Sequence, residues 1–125
     1  MKKKLLVIDD KPEIRSLISL FLSKEYEVIT TSNGQKAFEW LHEGNFPDCV
    51  ISDVDMPTVN GETFLSQIKA SGVFKDIPVI ILSSLQSSKD RIRLLQLGAH
   101  DFIVKPFNPE ELKIRIEKVV HTQNQ

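Results

Sequence analysis

Short, nearly continuous apolar runs alternate along the chain with longer segments whose apolar residues recur every three or four positions. The first run, Leu5-Leu6-Val7-Ile8, follows Lys4 and closes on Asp9-Asp10. A run this short and unbroken predicts a strand buried on both faces. Pro12 suits a first helical turn, and Ile14, Leu17, Ile18 and Phe21 then recur at i, i+3, i+4 and i+7, which predicts a helix. The same alternation continues. Val28-Ile29-Thr30-Thr31 is a β-branched strand candidate, Ser32-Asn33-Gly34 is turn chemistry, and Ala37, Phe38 and Leu41 stand at helical spacing around Trp40. Gly44-Asn45-Phe46-Pro47 punctuates before Cys49-Val50-Ile51, a third strand that delivers Asp53 to its end. Met56-Pro57 forces the chain out of regular structure, Gly61 breaks a loop, and Phe64, Leu65 and Ile68 mark a helix stopping near Ser71-Gly72. Val79-Ile80-Ile81-Leu82 after Pro78 is the most strand-like run and ends at Ser83-Ser84. A fourth helix opens at Ser87-Ser88-Lys89-Asp90 and carries Ile92, Leu95 and Ala99, with Gly98 near its end. Phe102-Ile103-Val104 forms the fifth strand before Lys105-Pro106. Asn108-Pro109-Glu110-Glu111 has the spacing of a capping box, and the last helix presents Leu112, Ile116, Val119 and Val120 on one face.

Five βα units in strict alternation predict an α/β fold: a doubly wound five-stranded parallel sheet with helices on both faces. No internal repeat, linker or low-complexity tract interrupts it, so residues 1–125 are expected to form a single domain.

Composition narrows the function. Sixteen basic residues against seventeen acidic ones give a net charge of -1, so direct nucleic-acid binding by this domain is not expected. Only four apolar residues separate Lys4 from Asp9, too few for a secretory leader, and no run reaches membrane length. Cys49 has no partner for a disulfide and reads as a small buried hydrophobe, so a cytoplasmic location and no membrane association are the expectation. His42, His100 and His121 lack the spacing of a zinc site.

The chemistry lies at the strand ends: Asp9-Asp10 after the first strand, Asp53 after the third, Ser83 after the fourth and Lys105 after the fifth. In a parallel sheet these ends share one edge, so three carboxylates, a hydroxyl and an ammonium converge. Singly, each has a plainer explanation: Asp10 can cap a helix, Ser83 can satisfy a loop N–H, and Lys105 can be solvated. Together, the crowded carboxylates require a cation, and hard oxygen ligands too few for a calcium cage suit Mg²⁺ or Mn²⁺. A metal, a lysine and a hydroxyl around a carboxylate nucleophile are the parts phosphoryl transfer needs.

Over nearly its full length the chain resembles the receiver domains of two-component response regulators, which have the flavodoxin-like fold of the chemotaxis regulators. The matching pieces are Val7-Ile8-Asp9-Asp10, Asp53-Val54-Asp55-Met56-Pro57 with Gly61, Pro78 to Ser83, and Gly98-Ala99-His100-Asp101-Phe102 running into Lys105-Pro106-Phe107. The resemblance implies strand order 2-1-3-4-5 and a phosphorelay switch that takes a phosphoryl group on Asp53 from a histidine kinase or phosphotransfer protein. It implies Mg²⁺ held by Asp10, Asp53 and the backbone carbonyl of Asp55, with Asp9 acting through water. Lys105 and Ser83 would contact the phosphoryl oxygens, and a cis peptide bond would precede Pro106. Phe102 would be the switch aromatic that fills the space Ser83 leaves; it lacks a phenol hydroxyl, and plain core is its other reading.

Asp55 and Leu85 stand where the lifetime of an aspartyl phosphate would be tuned. Arg91, Asp101, Glu111 and Arg115, on the fourth helix, fifth strand and fifth helix, resemble part of the charged set with which receivers of winged-helix transcription factors form two-fold dimers, so a phosphorylation-dependent homodimer is one expectation. A solvated face with Glu111–Arg115 pairing is the alternative. Two rival functions remain. Asp53-Val54-Asp55 mimics the motif of haloacid-dehalogenase-like phosphatases, but those carry it after the first strand. A pseudo-receiver interaction module would never take up phosphate. On the receiver reading the chain is not an enzyme beyond its own phosphorylation and dephosphorylation.

Overall fold

The computed structural model describes residues 2–54, 61–84 and 88–122. Asp55 and Leu85, assigned above to the metal and to phosphoryl lifetime, lie outside the described residues. The chain runs β1 (Lys3–Ile8), α1 (Pro12–Leu22), β2 (Tyr26–Thr31), α2 (Gly34–His42), β3 (Cys49–Asp53), α3 (Gly61–Ala70), β4 (Val79–Ser83), α4 (Ser88–Gln96), β5 (Asp101–Val104) and α5 (Pro109–Thr122). All strands are parallel in the order β2-β1-β3-β4-β5, as expected.

Strand alternation sorts the core into two layers. Leu6, Ile8, Val50, Ile81 and Phe102 join residues of α2, α3 and α4 on one face of the sheet. Leu5, Val7, Ile51, Ile80, Leu82 and Ile103 join residues of α1 and α5 on the other. The central strands β3 and β4 are buried throughout, which explains why their sequences do not alternate. Cys49 is fully buried, and burial pushes its thiol well above the ordinary range, in keeping with a plain apolar role.

Two helices turn differently from the sequence expectation. In α1 the buried residues are Ile18 and Leu22, with Ile14 packed against that core, while Leu17 and Phe21 stay 42% and 38% exposed. In α4 the buried residue is Leu94, and Ile92 and Leu95 are 54% and 42% exposed. The segment Ile92 to Leu97 holds four apolar residues, so periodicity offers two faces. An ion pair between Arg93 and Glu62 of α3 accompanies the face that turns inward. The cap of α5 also differs in part. Asn108 Oδ1 accepts the Glu110 N–H at 2.8 Å, whereas a Glu111 carboxylate oxygen pairs with Arg115 at 3.2 Å.

Two turns take a left-handed glycine: Gly44, with φ of 101°, follows α2, and Gly98, with φ of 115°, turns α4 into β5 against the stem of Lys69. The Lys69 ammonium donates to the carbonyls of Lys75 and Ile77 and so closes the loop before β4.

Candidate functional site

β1, β3 and β5 bring Asp9, Asp53 and Lys105 to one point at the C-terminal edge of the sheet. Lys105 Nζ lies 3.0 Å from Asp53 Oδ2 and 3.5 Å from Asp9 Oδ2, and both carboxylates are 1% exposed. Asp10, partly exposed, completes an acidic group in which one ligand atom from each of Asp9, Asp10 and Asp53 lies within 4.8 Å of the others. The turn that sets the first two acids is tightly held. The Lys11 N–H donates to Asp9 Oδ1 at 2.9 Å, and Arg15 Nη1 of α1 donates to the Asp9 carbonyl at 2.7 Å.

Asp9 and Asp53 share the Lys105 ammonium while a third acid, Asp10, stands beside them, and the crowding shows in the titration of Asp9. Burial raises the Asp9 carboxyl above its ordinary 3.8, and the Asp53 charge adds to this against the opposing Lys11 N–H and Lys105. Lys105 is pulled down by burial, but hydrogen bonding and attraction to Asp53, then Asp9, outweigh that and leave it above 10.5. Asp10 Oδ1 is buried without a hydrogen-bond partner, and Asp9 Oδ2 has the 3.5 Å ion-pair contact with Lys105 but no hydrogen bond. Two under-satisfied acceptors inside an acidic pocket are what a hard dication would satisfy, so the residues fit Mg²⁺.

A carboxyl raised on folding binds more protons native than unfolded. Its effect on stability is therefore absent at low pH and grows as pH rises from 3.8 through the raised native value. Asp9→Asn is accordingly expected to stabilise the metal-free protein by about 1 kcal/mol at pH 7. That gain vanishes near pH 3, and the stabilisation that added Mg²⁺ gives the wild type shrinks. Urea unfolding at both pH values measures this, and a less stable metal-free variant at pH 7 would overturn it.

Ser83 is fully buried at the end of β4, where its carbonyl accepts the Lys105 N–H at 2.8 Å. The register pairs Ile81 with Phe102 and Ser83 with Val104, so alternation puts Ser83 and Phe102 on the same side of the sheet. Phe102 is 8% exposed, packed in the α2-α3-α4 layer. The Lys105–Pro106 bond is cis, as expected. Trp40 sits in α2, away from this edge.

Three of the four proposed interface charges, Asp101, Glu111 and Arg115, pair within the chain, and Arg91 faces an aromatic ring instead. Arg115 Nη1 lies 2.7 Å from both Asp101 oxygens, Arg115 Nη2 pairs with Glu111, and the Arg91 guanidinium lies 5.8 Å from the Phe102 ring centroid.

Sequence reasoning missed three features. Arg15 braces the β1–α1 turn, a role visible only in three dimensions. Gly61 was read as a loop breaker, yet its N–H donates to the Val54 carbonyl and a Cβ there would lie 2.2 Å from the Asp53 carbonyl oxygen. An apolar groove of 430 Å³, lined by Ile14, Leu17, Pro106 and Phe107 with Lys105, opens beside the site. The signal for it was Leu17, taken for core.

With this geometry in place the family follows from a match of residues 5–117 to the response regulator receiver domain model. The chain belongs to the response regulator receiver domain family. It is 40% identical over 124 residues to "Probable transcriptional regulator ycf27" of Guillardia theta, covering 98% of this chain and 47% of that protein. It is 32% identical to the sensor histidine kinase TmoS of Ectopseudomonas mendocina, covering 94% of this chain and 12% of that protein. The chain thus spans about half the length, or less, of the curated relatives it matches. Among solved structures, the chemotaxis response regulator CheY4 of Vibrio cholerae superposes with a TM-score of 0.88 at 32% identity, over 95% of this chain and 99% of that one. The receiver domain of a Syntrophus aciditrophicus signal transduction histidine kinase does so with 0.88 at 30%, over 96% and 91%. Receivers are signalling modules, not enzymes in the ordinary sense, and among the described residues no helix is long and apolar enough to cross a membrane.

Proposed function

We propose that this receiver is a phosphorylation-dependent switch in which Asp53 accepts a phosphoryl group from a phosphohistidine on a histidine kinase or phosphotransfer protein. The observation that carries the reading is Asp53 itself: a buried carboxylate at a strand end, 3.0 Å from a lysine and within an acidic group containing under-satisfied oxygens. Asp9, Asp10 and Asp53 would hold Mg²⁺. When bound, the dication would neutralise the crowded carboxylates and polarise the transferred oxygens.

The chain's own residues do the rest. Asp53 presents an oxygen in line with the donor, held by the end of β3. Lys105 turns its ammonium from the carboxylates toward the incoming oxygens, which gain charge-assisted hydrogen bonds. Ser83, on the face shared with Phe102, moves to donate to the phosphoryl group, and the ring fills the space beside it. The apolar groove supports the donor assignment, because it shares Lys105 with the site, so a protein seated against Ile14, Leu17 and Phe107 brings its phosphohistidine to Asp53.

The test is intact-mass analysis after incubation with a small phosphodonor and Mg²⁺. The wild type is expected to gain about 80 Da, one phosphoryl group, and Asp53→Ala to gain nothing. An adduct that survives in Asp53→Ala, or none in the wild type, would overturn the assignment and leave an interaction module. Sizing chromatography of the same samples tests whether Ile92 and Leu95, exposed beside the charged network, pair two copies. Earlier elution only after phosphorylation supports a homodimer, and equal volumes remove it.

A further inference from the structure

Helix α4 is the most lightly anchored helix of the fold. Leu94 is its one buried residue, while Ile92 and Leu95 stand in solvent. Two arginines supply much of the remaining attachment. Arg93 reaches Glu62 on α3 and Asp90 on its own helix. Arg91 reaches across to β5, where its guanidinium lies 5.8 Å from the centroid of the Phe102 ring. Among the described residues it pairs with no carboxylate.

We propose that Arg91 is the positioning residue of the aromatic switch: its cation over Phe102 holds the ring in its buried place and links the ring to α4. The inference rests on the reading above, that phosphoryl acceptance draws Ser83 inward and requires the ring beside it. A tyrosine could anchor such a ring through its hydroxyl. Phenylalanine cannot, and a cation over the ring face supplies an anchor of another kind through the ring quadrupole. The ring is buried, 8% exposed, in the α2-α3-α4 layer. A contact that favours the buried ring therefore lowers the cost of reaching the phosphorylated arrangement, and by linkage tightens phosphoryl-site ligands. Movement of the ring carries Arg91 with it, and a helix held by one buried leucine follows.

The experiment measures beryllofluoride affinity at fixed Mg²⁺, with thermal unfolding to confirm that each variant is folded. Arg91→Gln keeps the length of the side chain but loses the charge, and is expected to weaken binding about two- to fivefold, the size of an exposed cation–π contact. Arg91→Lys restores most of it. In a Phe102→Leu background the Arg91→Gln loss disappears, since the double-mutant cycle removes the shared contact. Amide exchange in α4 of the unliganded protein rises in Arg91→Gln relative to wild type. Wild-type affinity in Arg91→Gln, or a loss that persists unchanged in Phe102→Leu, overturns the assignment while leaving the phosphoacceptor reading intact. A wild type that binds no beryllofluoride overturns both.

Discussion

Lys105→Met is expected to lower the stability of the metal-free protein at pH 7 by about 3 kcal/mol, the usual cost of removing one partner from a buried ion pair. The magnitude follows from what the lysine leaves behind. Asp9 and Asp53 are each 1% exposed, and the Lys105 ammonium lies within 4 Å of both. Without it two carboxylates face each other in a medium that solvates neither, and each can escape the penalty only by taking a proton. The loss is therefore largest at neutral pH and shrinks as pH falls and the carboxylates protonate. On the alkaline side the contribution of Lys105 in the wild type holds from neutral pH up to 10.5 and disappears as pH rises through its raised native value.

Two readouts should then separate. Mg²⁺ supplies the missing positive charge, so saturating metal recovers much of the stability of Lys105→Met. It does not recover phosphoryl uptake, which is expected to fall on the order of 100-fold, as for loss of one preorganised donor at developing charge. Unfolding with and without Mg²⁺, beside uptake from a small phosphodonor, measures both. Metal-free stability equal to wild type would mean that the ion pairs contribute little. Uptake within a few fold of wild type would remove Lys105 from the transfer step.

The alternation of short apolar runs with helical periodicity was enough to read five parallel strands and which strand ends carry chemistry, because burial on both faces leaves a strand little freedom in composition. That Asp9, Asp10, Asp53, Ser83 and Lys105 lie at one edge was legible for the same reason: parallel strands put their C-terminal residues on one edge whatever the helices do. Helix rotation was less legible. Leu17, Phe21, Ile92 and Leu95 satisfy the spacing rule for core and are nonetheless 38% to 54% exposed. Spacing counts apolar positions but does not say which of two apolar stripes meets the sheet, and in α4 the choice coincides with the Arg93 and Arg91 contacts. Nor could spacing show that Asp101, Glu111 and Arg115 form one network inside the chain, since the pairing of Arg115 with Asp101 spans 14 positions and depends on how α5 returns beside β5.

Gly61 was legible as a glycine and illegible as a neighbour, and replacing it is expected to damage the site from behind. A Cβ at position 61 would stand 2.2 Å from the Asp53 carbonyl oxygen and 2.6 Å from the Val54 Cα. Both contacts are backbone, so no side chain can rotate away. Either α3 retreats at its first residue or the end of β3 shifts, and the Gly61 N–H bond to Val54 stretches in both cases. Gly61→Ala is therefore expected to cost about 3 kcal/mol, the upper range for forcing a methyl into a packed site. Because β3 is the element that aims Asp53, phosphoryl uptake should fall on the order of 100-fold, as for a misplacement near 1 Å. Mg²⁺ affinity should fall with it, since Asp53 leaves its place beside Asp9 and Asp10. Gly72→Ala is the control: a Cβ there meets nothing within 4 Å, so its stability and uptake should match the wild type. If Gly61→Ala is destabilised yet takes up phosphoryl groups at the wild-type rate, the backbone behind Asp53 has slack, and the carboxylate is aimed by Lys105 and the acidic group alone.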